Sequence, residues 1–137
     1  MIKGSRKTIY LLIMREIKFR AWWAEPKIMH EFELGQDYFK GCLGADGECY
    51  TCELEFADAI MQYTGLKDKN GKEIYEGDVL RGYGSAIKRF VVSFSNGSFV
   101  LYHNFGRWGL LSRIFEIEEL PVEIIGNLYE NPELLNQ

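Results

Sequence analysis

Two Asn-Gly dipeptides, Asn70-Gly71 and Asn96-Gly97, constrain this 137-residue chain more than any other feature. Asn and Gly enter positive φ at low cost, so each pair suits a type I′ reversal between two antiparallel strands. Leu66-Lys67-Asp68 and Lys72-Glu73-Ile74-Tyr75 flank Lys69-Asn70-Gly71, and Glu76-Gly77-Asp78 then leads into Val79-Leu80. The second joins Phe90–Phe94 to Ser98–Tyr102, where Phe90, Val92 and Phe94 alternate with Arg89, Val91 and Ser93. Alternation of period two buries one face of a strand and wets the other.

The same pattern marks three more strands. In Glu16–Trp22 the apolar Ile17, Phe19 and Ala21 alternate with charged Glu16, Lys18 and Arg20. Arg113–Ile117 is a further candidate, and Val122–Leu128 follows Pro121. Asn131-Pro132-Glu133 places a capping residue before a proline at the first helical position and an acid in the first turn, which predicts one helical turn. Residues 30–56 fit no single period, and Leu54, Phe56 and Ile60 suit a short amphipathic helix or a strand equally. Many short strands with regular turn signals predict a mainly β protein with minor α. The expected architecture is a small SH3-like, partly open β-barrel with an N-terminal α/β extension packed on it. Three parts are expected: an extension over 1–13, an N-terminal subdomain over 14–64 and the barrel over 65–137. Met14 offers an alternative start.

With 47% hydrophobic and 26% charged residues, the chain can bury a globular core and is not disordered. No apolar run approaches the ~20 residues that span a bilayer. Ile9–Met14 also falls short of the ~7–15 residues of a signal-peptide core. A reducing, cytoplasmic setting without membrane attachment is therefore expected.

Charge is segregated along the chain. Residues 1–20 carry +5, residues 21–78 carry −8, residues 79–115 carry +5 and residues 116–137 carry −6. The third block holds five bases and no acid. Its Arg81, Lys88, Arg89, Arg107 and Arg113 could meet nucleic-acid phosphates while Phe99, Tyr102 and Trp108 offer stacking faces. Against that reading, the whole chain is acidic, with a pI near 5.3. Opposed blocks that neutralise one another, within the fold or between copies, are the favoured explanation, so a homo-oligomer is expected.

Three segments carry a resemblance. Arg15–Trp22, the run from Met61 through Lys69-Asn70-Gly71-Lys72 to Asp78, and Ile125–Leu134 together resemble the YopX family of phage and prophage proteins, in the family's order. The resemblance implies a cytoplasmic, mostly β phage or prophage accessory protein and transfers no catalytic residue. The partner it implies is an unknown phage or host protein.

Local chemistry points the same way. Cys49-Tyr50-Thr51-Cys52 is a C-x2-C pair, with Cys42 and His30 upstream. Tetrahedral zinc generally takes two closely spaced pairs, and only one is present, so neither a metal nor another cofactor is expected. A redox pair would cap a helix in a βαβ unit, which is not visible. His30 and His103 are the only histidines, and no nucleophile elbow, phosphate-binding glycine loop or zinc-protease helix occurs. No catalytic activity is expected. Asp78 reads as a turn residue bonding local backbone rather than as an acid catalyst. The sequon Asn96-Gly97-Ser98 is explained by its turn. Trp22-Trp23 reads as a core or oligomer contact.

Overall fold

The computed structural model describes residues 16–82, 88–103, 106–111 and 122–136, except for the side chains of 88, 106–108 and 136. Eleven strands lie within them: β1 Lys18–Trp23, β2 Ile28–Glu33, β3 Tyr38–Leu43, β4 Cys49–Glu53, β5 Ala59–Lys67 and β6 Glu73–Tyr75, then β7 Asp78–Gly82, β8 Lys88–Ser95, β9 Ser98–His103, β10 Gly106–Leu110 and β11 Val122–Asn127. Short 3-10 turns occupy Leu54–Phe56 and Pro132–Asn136, the second where the Asn-Pro-Glu signal predicts a turn. The protein is mainly β, as expected.

The strands form three sheets. The first has the order β2-β1-β5-β6, the second is the hairpin β3-β4, and the third runs β10-β9-β8-β7-β11. The segment 30–56, ambiguous in sequence, contains most of β2 and all of β3 and β4. Its glycines lie mainly in connections, while inward Phe39, Cys42 and Cys52 help close a core with Ala21, Trp23, Ile28 and Phe32. A second core gathers Ile74 with Leu80, Phe90, Val92, Leu101, Leu111 and Val122. Strand β5 crosses residue 65, and β6 beyond it still belongs to the first sheet. The chain passes from the first sheet to the third at Glu76-Gly77. Gly77 has φ +84, and a Cβ there would press on Met61 and Tyr129.

The two Asn-Gly pairs behave differently. At Asn96-Gly97 both residues have positive φ, 51° and 81°, and Ser95 pairs with Ser98 across a two-residue turn. At Asn70-Gly71 only the glycine does. Here the expected type I′ geometry gives way to a wider loop, closed by the Asp68 N–H on the Lys72 carbonyl at 2.8 Å inside the Lys67–Glu73 pair. The reason is Asp68. Its Oδ1 accepts the N–H groups of Asn70 and Lys72, each at 2.9 Å, and its Oδ2 accepts that of Ile124 in β11 at 3.0 Å. Burial pushes the Asp68 pKa up, but the donors from Ile124, Lys72 and Asn70 outweigh it, so the carboxyl sits below its ordinary value. One side chain thus shapes the loop and binds it to the third sheet. The Lys69 N–H adds a 3.0 Å bond to the Val122 carbonyl.

Strand β1 departs from its alternation. Ile17 just before it is exposed, whereas Arg20 and Trp22, on the face expected to be polar, are buried. The cause lies across the molecule. Arg20 donates from one terminal nitrogen to Asp78 Oδ1 at 2.6 Å and to the Glu76 carbonyl at 3.1 Å, and its guanidinium lies 4.8 Å from the centre of the Tyr75 ring. Asp78 Oδ2 accepts the Tyr75 N–H at 2.8 Å, so its expected turn role holds, with an ion pair added. Burial pushes the Asp78 pKa above its ordinary value, and Arg20 with the Tyr75 N–H offsets this only in part. Arg20 and Asp78 are 8% and 1% exposed, so neither charge has water to fall back on. Arg20→Met will therefore cost about 3–5 kcal/mol in urea unfolding of the full chain, the range for breaking a buried pair. A loss below about 1 kcal/mol would put the pair in the class of exposed ion pairs.

Candidate interaction surfaces

The residues proposed from sequence to meet nucleic acid divide into three groups. Arg81 on β7 donates to Glu123 Oε2 on β11 at 2.7 Å, and Lys69 reaches the same oxygen at 3.8 Å. An acid of the tail block therefore neutralises a base of the basic block within one fold. Arg89, directly opposite Arg81 in the β7–β8 register, shares a surface cleft with Tyr102 and His103. Lys88 heads β8, Arg107 and Trp108 lie in β10, and their side chains are outside the described set, as is all of Arg113 and the strand expected over Arg113–Ile117.

The Arg89 cleft has a volume of about 250 Å³, and the C-terminal 3-10 turn forms one wall through Leu134 and Leu135. That turn is held by asparagines. Asn127 Oδ1 accepts the N–H groups of Tyr129 and Glu130, while Asn131 Oδ1 accepts that of Asn127. Gly126 leaves room for this, because a Cβ would fall 2.5 Å from Asn131 Oδ1 and 2.7 Å from Leu134 Cδ1. Arg89 reaches the Leu134 carbonyl at 3.5 Å. The His103 Nδ1 lies 2.9 Å from the Arg89 carbonyl, which can only accept, so Nδ1 is the donor of this bond.

A different surface occupies the N-terminal half. The β3–β4 hairpin lays Phe39, Cys42 and Cys52 onto the core and turns Tyr38 and Leu43 outward, 50% and 66% exposed. Phe56, in the turn after β4, is 69% exposed. The hairpin loop docks on the β1–β2 turn through the Ala45 N–H, which bonds the Pro26 carbonyl at 3.2 Å. Between them lies a cleft of about 240 Å³ lined by Trp23, Tyr50 and Phe56 and by Glu25 and Glu53. The Trp23 indole donates to the Glu53 carbonyl at 3.1 Å, and the Tyr50 hydroxyl donates to Asp46. That bond lowers the Asp46 pKa and raises that of Tyr50. Sequence reasoning missed this cleft, although its aromatics and acids stand in the −8 block.

The C-x2-C pair lies along β4. An odd separation in a strand sends side chains to opposite faces, so Cys49 is exposed and Cys52 buried. Cys42 Sγ is 3.9 Å from His30 Nδ1. Among the described residues, no three His, Cys, Asp or Glu side chains are grouped to hold a metal. Burial, with a hydrogen bond to Cys42, pushes the Cys52 thiol up to about 11. No described helix is long and apolar enough to cross a membrane. Both Trp22 and Trp23 are core residues, Trp22 beside Tyr129 with ring centres 6.4 Å apart.

These features define a two-core, mainly β protein with shallow clefts at its surface. The YopX protein family model matches residues 18–136, and the chain belongs to that family. It is similar to the crystal structure of protein EF1440 from Enterococcus faecalis, at 31% identity and a TM-score of 0.57, over 89% of this chain and 99% of that one. No curated protein matches it. The three family-like segments meet in space, since Arg20 pairs with Asp78, Trp22 packs beside Tyr129, and the Leu128 N–H bonds the Gly77 carbonyl at 2.9 Å.

Thiol accessibility offers a direct check of the hairpin. Iodoacetamide at neutral pH should alkylate Cys49 first, with Cys42 and Cys52 protected until unfolding. Mass spectrometry showing Cys52 modified as fast as Cys49 would contradict the inward face of β4.

Proposed function

We propose that this protein is a non-enzymatic interaction module of a phage or prophage, working in the bacterial cytoplasm by surface contacts with a phage or host protein and with copies of itself. The observation that carries the reading is the outer face of the β3–β4 hairpin. Large apolar groups left exposed on a folded domain are sites where burial against a partner gains about 25 cal/mol per Å². Tyr38 and Leu43 are such groups on a hairpin whose other face is already packed. The interior acids support it too. Asp68 and Asp78 are committed to backbone N–H groups and to Arg20, which gives them structural work rather than proton transfer. Family membership supports the phage setting, and segregated charge supports self-association.

Affinity capture from lysogenic cells, comparing the wild-type chain with Tyr38→Ala/Leu43→Ser, tests this. Both positions are exposed, so the fold survives. The expected result is a defined protein retained by the wild type and lost by the variant, with a mass above 15.9 kDa for the wild type alone in light scattering. Identical captures by the two proteins, or a monomer at all concentrations, would refute the corresponding half of the proposal.

One observation favours a second reading, nucleic-acid binding through the third sheet: Arg89, Tyr102 and His103 line one cleft. A guanidinium beside a phenol ring suits a phosphate next to a stacked base. Binding of single-stranded oligonucleotide should then weaken with salt, and Lys88→Ala/Arg89→Ala should weaken it further and flatten the salt dependence. Affinity that ignores both changes would end this reading.

A further inference from the structure

The cleft between the β1–β2 turn and β4 has a composition unlike that of the Arg89 cleft. Three aromatic residues, Trp23, Tyr50 and Phe56, and two acidic residues, Glu25 and Glu53, line it. Among the described residues no lysine or arginine lines it. Among the described residues neither carboxylate has an ion-pair partner. Its volume of about 240 Å³ lies below the ~300–1,000 Å³ of pockets that enclose whole small molecules, so it suits a single long side chain.

Two of the rings are held in place. The Trp23 indole N–H is fixed on the Glu53 carbonyl, and the Tyr50 hydroxyl on Asp46. Gly44 supports the Tyr50 ring, because a Cβ there would lie 2.9 Å from Tyr50 Cε2 and 3.1 Å from Pro26 Cγ. Phe56 is the exposed, adaptable third wall. Aromatic faces attract cations through their quadrupoles, and a planar guanidinium can stack on a ring while its N–H groups bond carboxylates in a fork.

We infer that this cleft takes an arginine side chain presented by a basic peptide segment of a partner protein, its guanidinium against the rings of Tyr50 and Phe56 and its N–H groups toward Glu25 and Glu53. The inference rests on the interaction-module reading and names the partner's chemistry. The favoured occupant is a basic peptide because, among the described residues, the cleft lining offers two acids without an ion-pair partner and no base, within a block of net charge −8.

The test uses the full-length, nitrogen-15-labelled chain and acetylated hexa-arginine amide as probe, followed by NMR and calorimetry. At saturation the Trp23 indole and Phe56 amide signals should move. Glu25→Gln/Glu53→Gln should weaken binding about tenfold, corresponding to about 1.4 kcal/mol. Phe56→Ala, which leaves the charge unchanged, should also weaken it several-fold. Glu31→Gln/Glu33→Gln on β2 removes the same charge away from the cleft and should leave affinity unchanged. The inference is overturned if the Phe56 variant binds as tightly as the wild type, if the β2 control matches the cleft variant, or if the Trp23 indole stays still. Trp23 signals that shift on dilution without peptide would make a second copy the occupant and overturn it as well. Failure here, together with a partner lost on Tyr38→Ala/Leu43→Ser, removes the arginine site and leaves the interaction module standing.

Discussion

Arg20 and Asp78 meet where two sheets adjoin, and the arrangement around that junction follows from their need for one another. Isolating either charge from water is costly, so each must find donors or acceptors inside the protein. Arg20 finds the Asp78 carboxylate, the Glu76 carbonyl and the Tyr75 ring; Asp78 adds the Tyr75 N–H. These contacts fix β1 against the start of β7 and set the bend at Gly77. A buried pair of this kind need not raise stability above that of an apolar substitute, but it strongly disfavours any docking that leaves one member unpaired. Its contribution here is the alignment of two sheets.

Around this junction, short polar side chains handle the places where backbone ladders end. Asp68 closes a loop and ties it to β11, Asp46 organises the β3–β4 connection, and Asn127 with Asn131 secures the final turn. Irregular backbone must satisfy its N–H groups somewhere, and a carboxylate or amide oxygen that accepts two of them does so within a few residues. The consequence for function is spatial. Most interior acids are occupied with backbone, while free acids and apolar rings are left at the rim of the N-terminal half. The third sheet presents the opposite chemistry, a cleft with a guanidinium and an imidazole and, among the described residues, no acid.

How far the fold could be read from sequence depended on whether the deciding contact was local. Asn96-Gly97 forms its turn because nothing beyond the neighbouring residues intervenes. Asn70-Gly71 has the same local chemistry, yet Asp68 captures two loop N–H groups and one from a strand 56 positions away, and the turn widens. The alternation in β1 places a strand correctly, while its polar face is covered by a partner far along the chain. Strands β3 and β4 escaped detection because glycines and a register shift between Phe39 and Cys42 interrupt their period. The acidic aromatic cleft escaped for a related reason: Trp23 and Phe56 are 33 positions apart and converge only when β4 docks on the β1–β2 turn.

Sequence alone determined that the chain is mainly β, that a tight reversal falls at Asn96-Gly97, and that a family-like framework runs through its beginning, middle and end. Those properties arise from backbone preferences and side-chain periodicity, which act over a few residues. Tertiary structure alone decided that Arg20 turns inward, that Arg81 is matched by Glu123, and which aromatics share a cleft with Glu25 and Glu53. Each of those outcomes depends on which distant group arrives beside a side chain once water has been excluded, and one-dimensional order does not encode that distance.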